Sequence, residues 1–269
     1  MKRSNADDIS CPKKQKGVPS VDLSKIKELL SKKLPTESTS KPTPIFYDWF
    51  SDIAQCLCNE VILQVDNNKS KKNVQFRIVE VEMYLLYSGH QDTFSHGDDI
   101  QFNSCGQWYF HRQNGKSFKG GTYKGLDISF ATPGIAHGGI LIRSLERLDD
   151  THEIIEGPCR CVDNILSAAR QSSVQNMVDS SEFSLNIDEG CLHLIPYDID
   201  VDSKSSFNKI VSSARVGLTL KKSDNFKPYF LMQPYRFHCR PDKMTKYKTM
   251  AIISTWVAYN NNNNNGGGG

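Results

Sequence analysis

Val74-Gln75-Phe76-Arg77-Ile78-Val79-Glu80-Val81-Glu82-Met83-Tyr84 decides how the chain is read. It is rich in β-branched and aromatic residues, which sit well on a pleated, half-buried surface. Residues 61–65, Val-Ile-Leu-Gln-Val, read the same way. Asp66-Asn67-Asn68 between the two runs supplies turn chemistry, so a β-hairpin is expected. Alternate side chains of a strand share a face. On a strict period of two, Val74, Phe76 and Ile78 share theirs with Glu80, Glu82 and Tyr84, and two carboxylates end an apolar stripe. Burial disfavours a charged carboxylate, so an acid there needs a partner or a task, and one of raised pKa is suited to activate water. A structural or edge-exposed role is the alternative reading of the same pattern.

Outward from the hairpin, residues 43–57 read as a helix with Ile45, Phe46, Trp49, Phe50 and Ile53 on one face. Further strands are expected at 107–111, 125–130, 139–145, 191–196, 216–220 and 233–239. Residues 158–170 read as a helix with Pro158 in its first turn. Strands predominate with helices interspersed, which predicts an α+β fold: a single domain over residues 43–259, with a curved, largely antiparallel sheet and surrounding helices.

Residues 1–42 are rich in Lys, Ser, Thr and Pro and read as a disordered tail, because they lack the apolar content that offsets ordering entropy. Within it Val21, Leu23, Ile26, Leu29, Leu30 and Leu34 recur at helical spacing, a candidate amphipathic helix. Lys2-Arg3 and Lys13-Lys14-Gln15-Lys16 have the two-cluster spacing of a nuclear import signal, or form a plain solvated basic tail. Residues 260–269 are a low-complexity Asn/Gly run. At 269 residues and 38% hydrophobic content the chain can bury one substantial core. The net charge of +3 permits a polyanionic partner without requiring one. Eight cysteines include the Cys-x-Cys pairs Cys56/Cys58 and Cys159/Cys161 but no Cys-x-x-Cys of a zinc site, so reduced, mostly buried thiols are expected. No run approaches the roughly 18 apolar residues of a membrane span, and a soluble intracellular monomer with no membrane partner is expected.

Three other segments carry chemistry. Asp92-Thr93-Phe94-Ser95-His96-Gly97 places a histidine beside acids, and Gly106-Gln107-Trp108-Tyr109-Phe110-His111-Arg112 interleaves rings with polar tips, as a pocket that stacks a heterocycle requires. Each ring taken singly also fits plain core filling. Gly138-Gly139-Ile140-Leu141-Ile142-Arg143 ends a buried strand on an Arg, which needs a carboxylate inside the fold or a phosphate outside it. Gly120-Gly121 and Gly125 flank Tyr123 and Lys124, either a loop near a backbone phosphate or an ordinary turn. His90, His137, His152, His193 and His238 show no metal-ligand spacing, so no metal is expected, and neither a Gly-x-Ser-x-Gly elbow nor a phosphate loop is present.

In order, these segments resemble the alkyladenine (3-methyladenine) DNA glycosylase family over about residues 45–243. Arg77 to Tyr84 resembles its Arg-Ile-Val-Glu-Thr-Glu-Ala-Tyr strand, and Ile140 to Glu146 its Leu-Leu-Arg-Ala-Leu-Glu segment. Gly157-Pro158, Ala214-Arg215-Val216-Gly217 and the Pro-x-Arg-Phe of Pro234 to Phe237 follow in family order. The resemblance implies a nuclear, cofactor-free base-excision repair enzyme that hydrolyses the N-glycosidic bond of a modified purine in DNA. It implies Glu82 as the base that activates water and Arg143 as its electrostatic partner. Tyr84, His96, Tyr109, His111 and Asp127 would line the pocket, with Tyr123, Lys124 and Lys119 as candidate DNA contacts. The chain also departs from the family. The Pro-Arg-Asn-Arg-Gly-Met-Phe element is replaced by Phe102-Asn103-Ser104-Cys105-Gly106, His111 stands for a stacking Tyr, and Asp127 for a pocket Asn. The tyrosine that wedges into the minor groove has no clear counterpart. Two other readings therefore stand beside the enzyme: a module of the same fold that binds a nucleobase without cleaving, and a structural protein whose glutamates and Arg143 pair in the core. Catalysis requires Glu82 and Arg143 to converge with Tyr84, His96 and an aromatic ring on one open pocket; if Glu82 and Arg143 are sealed from solvent, the structural reading wins.

Overall fold

The structure, a computed structural model, describes residues 23–34, 44–67, 72–149, 151–197, 210–220, 227–250, 252–253 and 255–256. The basic clusters of the N-terminal tail and the Asn/Gly run at the C-terminus lie outside the described residues, as does the end of the hairpin turn.

The helices are α1 (Ser24–Leu30), α2 (Pro44–Asn59), α3 (Asp99–Asn103), α4 (Pro158–Ala168), α5 (Val174–Val178) and α6 (Lys227–Leu231). The strands are β1 (Val61–Val65), β2 (Val74–Tyr87), β3 (His90–Gln91), β4 (Trp108–Phe110), β5 (Arg112–Gln113), β6 (Ser117–Phe118) and β7 (Leu126–Ser129). They continue with β8 (His137–Arg147), β9 (Ile154–Glu156), β10 (Leu192–Pro196), β11 (Val211–Ser213) and β12 (Arg236–His238). Ten strands form one sheet along β10-β1-β2-β8-β7-β4, with β12 and β3 also on β2, β9 on β8 and β11 on β12, while β5 and β6 form a separate ribbon. Every pairing is antiparallel. The fold is thus α+β on a large antiparallel sheet, as the pattern of strands predicts.

The apolar face of α2 buries Phe46, Trp49, Phe50 and Ile53. It meets β1, β2 and β12. The β1–β2 hairpin forms with Leu63 opposite Phe76 and Val65 opposite Val74. The period of two does not run through β2, however. A register shift between Ile78 and Val81 moves the buried apolar positions from Phe76 and Ile78 to Val81, Met83 and Leu85. Such an irregularity rotates the strand by one residue. Glu82 and Tyr84 consequently leave the apolar register instead of ending it.

Two other expectations are corrected. Residues 216–220 form no strand: Arg215 is buried against Asp92, and the Val216 N–H is spent on a Glu82 carboxylate oxygen at 2.7 Å rather than on a ladder. Part of the segment read as a disordered tail is core. In α1 and after it, Ile26, Leu30 and Leu34 are buried, the Leu29 carbonyl accepts from Trp49 Nε1 at 2.7 Å, and the Leu30 carbonyl accepts from the Ala131 N–H. Its helical spacing finds its partner within the chain. Among the described residues seven cysteines are free thiols, five of them buried, and no helix is long and apolar enough to cross a membrane.

Leu30 is fully buried. Leu30→Ala is expected to lower unfolding free energy by about 2–5 kcal/mol, the range for emptying a core site. Urea unfolding checks this; a change no larger than that of a surface substitution would detach α1 from the core.

Candidate functional site

The register places the expected residues in one row. Arg236 pairs with Glu82, Glu82 with Leu141, Leu141 with Asp127 and Asp127 with Tyr109. Directly opposed residues share a face. The row therefore crosses five strands on one side of the sheet, with Glu82 and Asp127 about 10 Å apart, twice the interstrand spacing. In the next row Tyr84 faces Gly139 and Gly139 faces Ser129.

At the β2 end the charges are paired inside the fold. Glu80 Oε1 accepts from Arg236 Nε at 2.5 Å and from Arg143 Nε at 3.2 Å, and Oε2 accepts from Ser144. Glu82 Oε1 accepts from the Val216 N–H; its Oε2 accepts from the Tyr84 hydroxyl at 2.8 Å and from Arg143 Nη1 at 3.4 Å. Burial acts to raise both acids. At Glu80 the two guanidiniums and Ser144 outweigh it and hold the carboxyl below its ordinary value. At Glu82 burial prevails over Arg143, Val216 and Tyr84, and the carboxyl lies above its ordinary value. Behind Tyr84, Arg215 stands 4.5 Å from the ring centre and is forked onto Asp92 at 2.6 and 3.1 Å.

At the β7–β4 end Asp127 Oδ1 accepts from His111 Nε2 at 2.8 Å, and Oδ2 from Gln101 Nε2 at 2.7 Å. Gly125 makes room for the His111 ring, since a Cβ there would overlap it. The His96 ring packs edge-on against His111 with centres 4.4 Å apart, and Tyr109 lies 6.0 Å from His111. Burial, with help from His111, pushes His96 down to about 4, so its imidazole is neutral at pH 7. Burial and the nearby Asp98 carboxylate raise the Tyr109 phenol. A cleft of about 560 Å³ opens here, lined by His96, Asp98, Tyr109, Arg112, Asn114 and Lys119.

The structure thus brings Glu82, Arg143 and Tyr84 together, and His96, Tyr109, His111 and Asp127 together, on one face but in two groups. The open cleft is lined by His96 and Tyr109 of the second group, with His111 and Asp127 buried outside its lining. Glu82 is 0% exposed and the Arg143 side chain 11%, while Tyr84 remains partly open. Tyr123 is 77% exposed on a 3-10 turn, Lys124 pairs with Asp163, and Lys119 lines two neighbouring clefts. Among the described residues no three His, Cys, Asp or Glu side chains gather as a metal set. Sequence reasoning missed Arg236 and Gln101. Pairing across the sheet brings Arg236 to Glu80, and Gln101 sits on a five-residue helix capped by Asp98 that its own periodicity is too short to reveal.

These features define an α+β protein whose sheet carries a polar, charge-paired row beside a cleft. No protein-family model matches the chain. An uncharacterized protein of Acanthamoeba polyphaga mimivirus, L759, is 31% identical over 214 residues, which span 75% of this chain and 91% of the viral protein. The chain belongs to the family of that mimivirus protein.

The two glutamates predict opposite responses to pH. The Glu80 carboxyl is depressed, so its stabilisation is present above its unfolded value and lost as pH falls through the folded one. The Glu82 carboxyl is raised, so between its unfolded and folded values the native state holds a proton that the unfolded chain lacks, and stability falls as pH rises. Because buried His96 and His238, both pushed down to about 4, add stability as pH rises over the same range, the Glu82 contribution is read as a difference: from about pH 4 to pH 8 the unfolding free energy of the unmodified protein minus that of Glu82→Gln is expected to fall. Glu80→Gln, which strips a buried carboxylate from two guanidiniums, is expected to cost about 3–5 kcal/mol near neutrality. Equal pH profiles for the unmodified protein and Glu82→Gln would remove the shift assigned to Glu82.

Proposed function

We propose that this chain recognises a modified purine of nucleic acid on an alkyladenine DNA glycosylase-like fold, holding the base between Tyr84 and the group formed by His96, Tyr109, His111 and Asp127. The observation that carries this reading is the row itself. It ends on Asp127 and Tyr109, against which the His111 and neutral His96 rings gather, and His96 and Tyr109 line the cleft that opens there. A flipped base is held by this kind of surface, rings against its faces and polar groups against its edge. Arg112 and Lys119 at the cleft supply positive charge for a phosphate backbone. A role in DNA repair in the nucleus follows from this reading as part of the proposal.

Hydrolysis is the second reading, and one observation favours it. Glu82 is a carboxyl of raised pKa fixed by a backbone N–H, a phenol and a guanidinium. A general base is tuned in this way. Glu82 would take a proton from water as that water attacks C1′ of the sugar and the base leaves. Against it stands burial: in this state Glu82 meets no solvent, and Arg143 is engaged by two carboxylates. Sealed and paired in this way, Glu82 and Arg143 fit the structural reading, and recognition without cleavage is proposed from the cleft beside His96 and Tyr109.

The test is binding and single-turnover excision on single- and double-stranded oligonucleotides containing hypoxanthine, ethenoadenine or 3-methyladenine. Binding by the unmodified protein is expected to weaken tenfold or more in Tyr109→Ala, since an aromatic–base stack contributes about 1–3 kcal/mol. Base release is expected at the background rate. Release that disappears in Glu82→Gln would establish the hydrolytic reading instead, and absence of binding to every strand would sink both.

A further inference from the structure

Gln101 stands where the two groups of the row would otherwise meet. Gly139 lies opposite Tyr84 on one side and Ser129 on the other, one step along β8 from the row of Glu82 and Asp127. A Cβ at Gly139 would run into the Gln101 amide and Asp127 Oδ2, so the glycine leaves the space that the amide occupies. Gln101 arrives from α3, which packs against β8, and it is 1% exposed. Its Nε2 donates to Asp127, but its Oε1 is buried without a hydrogen-bond partner among the described residues. A buried carbonyl left unpaired opposes the arrangement that buries it. The amide is planar, of the same polar character as a base edge, and held at one end only.

We propose that Gln101 is a displaceable occupant of the base site, and that the ligand which takes its place is a nucleobase carrying an exocyclic amine. The inference rests on the base-recognition reading given above. When Gln101 swings away, its carbonyl reaches water and Asp127 Oδ2 loses a donor, while Oδ1 keeps His111. An amine on the incoming base restores that donor. A base with no exocyclic amine leaves Oδ2 unpaired and is discriminated against. The notch over Gly139 therefore sets selectivity through what it demands of a ligand, and Gln101 holds the notch when no such ligand is present.

The experiment is fluorescence anisotropy with oligothymidine strands bearing a single 2-aminopurine or a single unsubstituted purine, which differ by one amine. Gln101→Ala is expected to bind the 2-aminopurine strand about tenfold more tightly than the unmodified protein, with a gain under about threefold on the purine strand. Gln101→Ser, which keeps a small polar group on α3, is expected to show the same preference, and thermal unfolding of both variants reports whether the fold survives. Binding of the 2-aminopurine strand by the unmodified protein with no gain in either folded variant overturns the role of Gln101 and leaves base recognition standing. Equal gains on both strands overturn the amine requirement. Binding of neither strand by any form overturns base recognition and this inference together.

Discussion

Two carboxylates on the middle strand of a ten-stranded sheet must find positive charge, and much of the architecture answers that demand. Glu80 lies between guanidiniums from two neighbouring strands, Arg143 of β8 and Arg236 of β12, so the pairing of β2 on both sides also neutralises the acid. An ion left alone in that position would cost several kcal/mol. The pair also fixes register: sliding β12 along β2 would move Arg236 away from Glu80 and Glu82. Arg215 does the same for the segment after β11, tying it to Asp92 and to the carbonyls of Met83 and Phe230.

Glu82 occupies a different place in this network. Its three donors come from separate parts of the chain: a neighbour on its own strand, a guanidinium on the adjacent strand, and a backbone N–H from beyond β11. Even so, burial dominates its titration. Both ends of the row are buried and internally paired, but beside the Tyr109 end a cleft opens that His96, Asp98, Arg112 and Lys119 line with groups of both charges. The proposed recognition is placed at the cleft on the strength of that difference.

Much of the architecture is legible in the sequence where local pattern and tertiary packing agree. Phe46, Trp49, Phe50 and Ile53 lie on one helical face because they meet one core, and the β1–β2 hairpin follows from two apolar runs around a turn. The departures arise where a distant partner decides. The register shift at Ile78–Val81 belongs to the pairing of β2 with β8 and leaves no trace in the alternation of β2 itself. Residues 216–220 look like a strand until the Val216 N–H finds a carboxylate. Ile26, Leu30 and Leu34 show their periodicity, but not that α2 lies ready to cover them. Among the site residues, the need of Glu82 and Arg143 for partners follows from their chemistry on buried strands, whereas the Asp127–His111–Gln101 bonds join parts of the chain that no local signal connects.

The order of strands also governs how the protein is made. β8 covers one flank of β2, β1 and then β12 share the other, and β12 follows β2 by some 150 residues. During synthesis at about 5–20 residues per second, β2 waits on the order of 10–30 s for that last neighbour. For that interval one flank of a strand holding two acids stays open, and unpaired strand flanks invite pairing with other chains. Glu80 and Glu82, which later organise the interior, meanwhile lend the nascent strand a negative charge that discourages such encounters until Arg236 emerges.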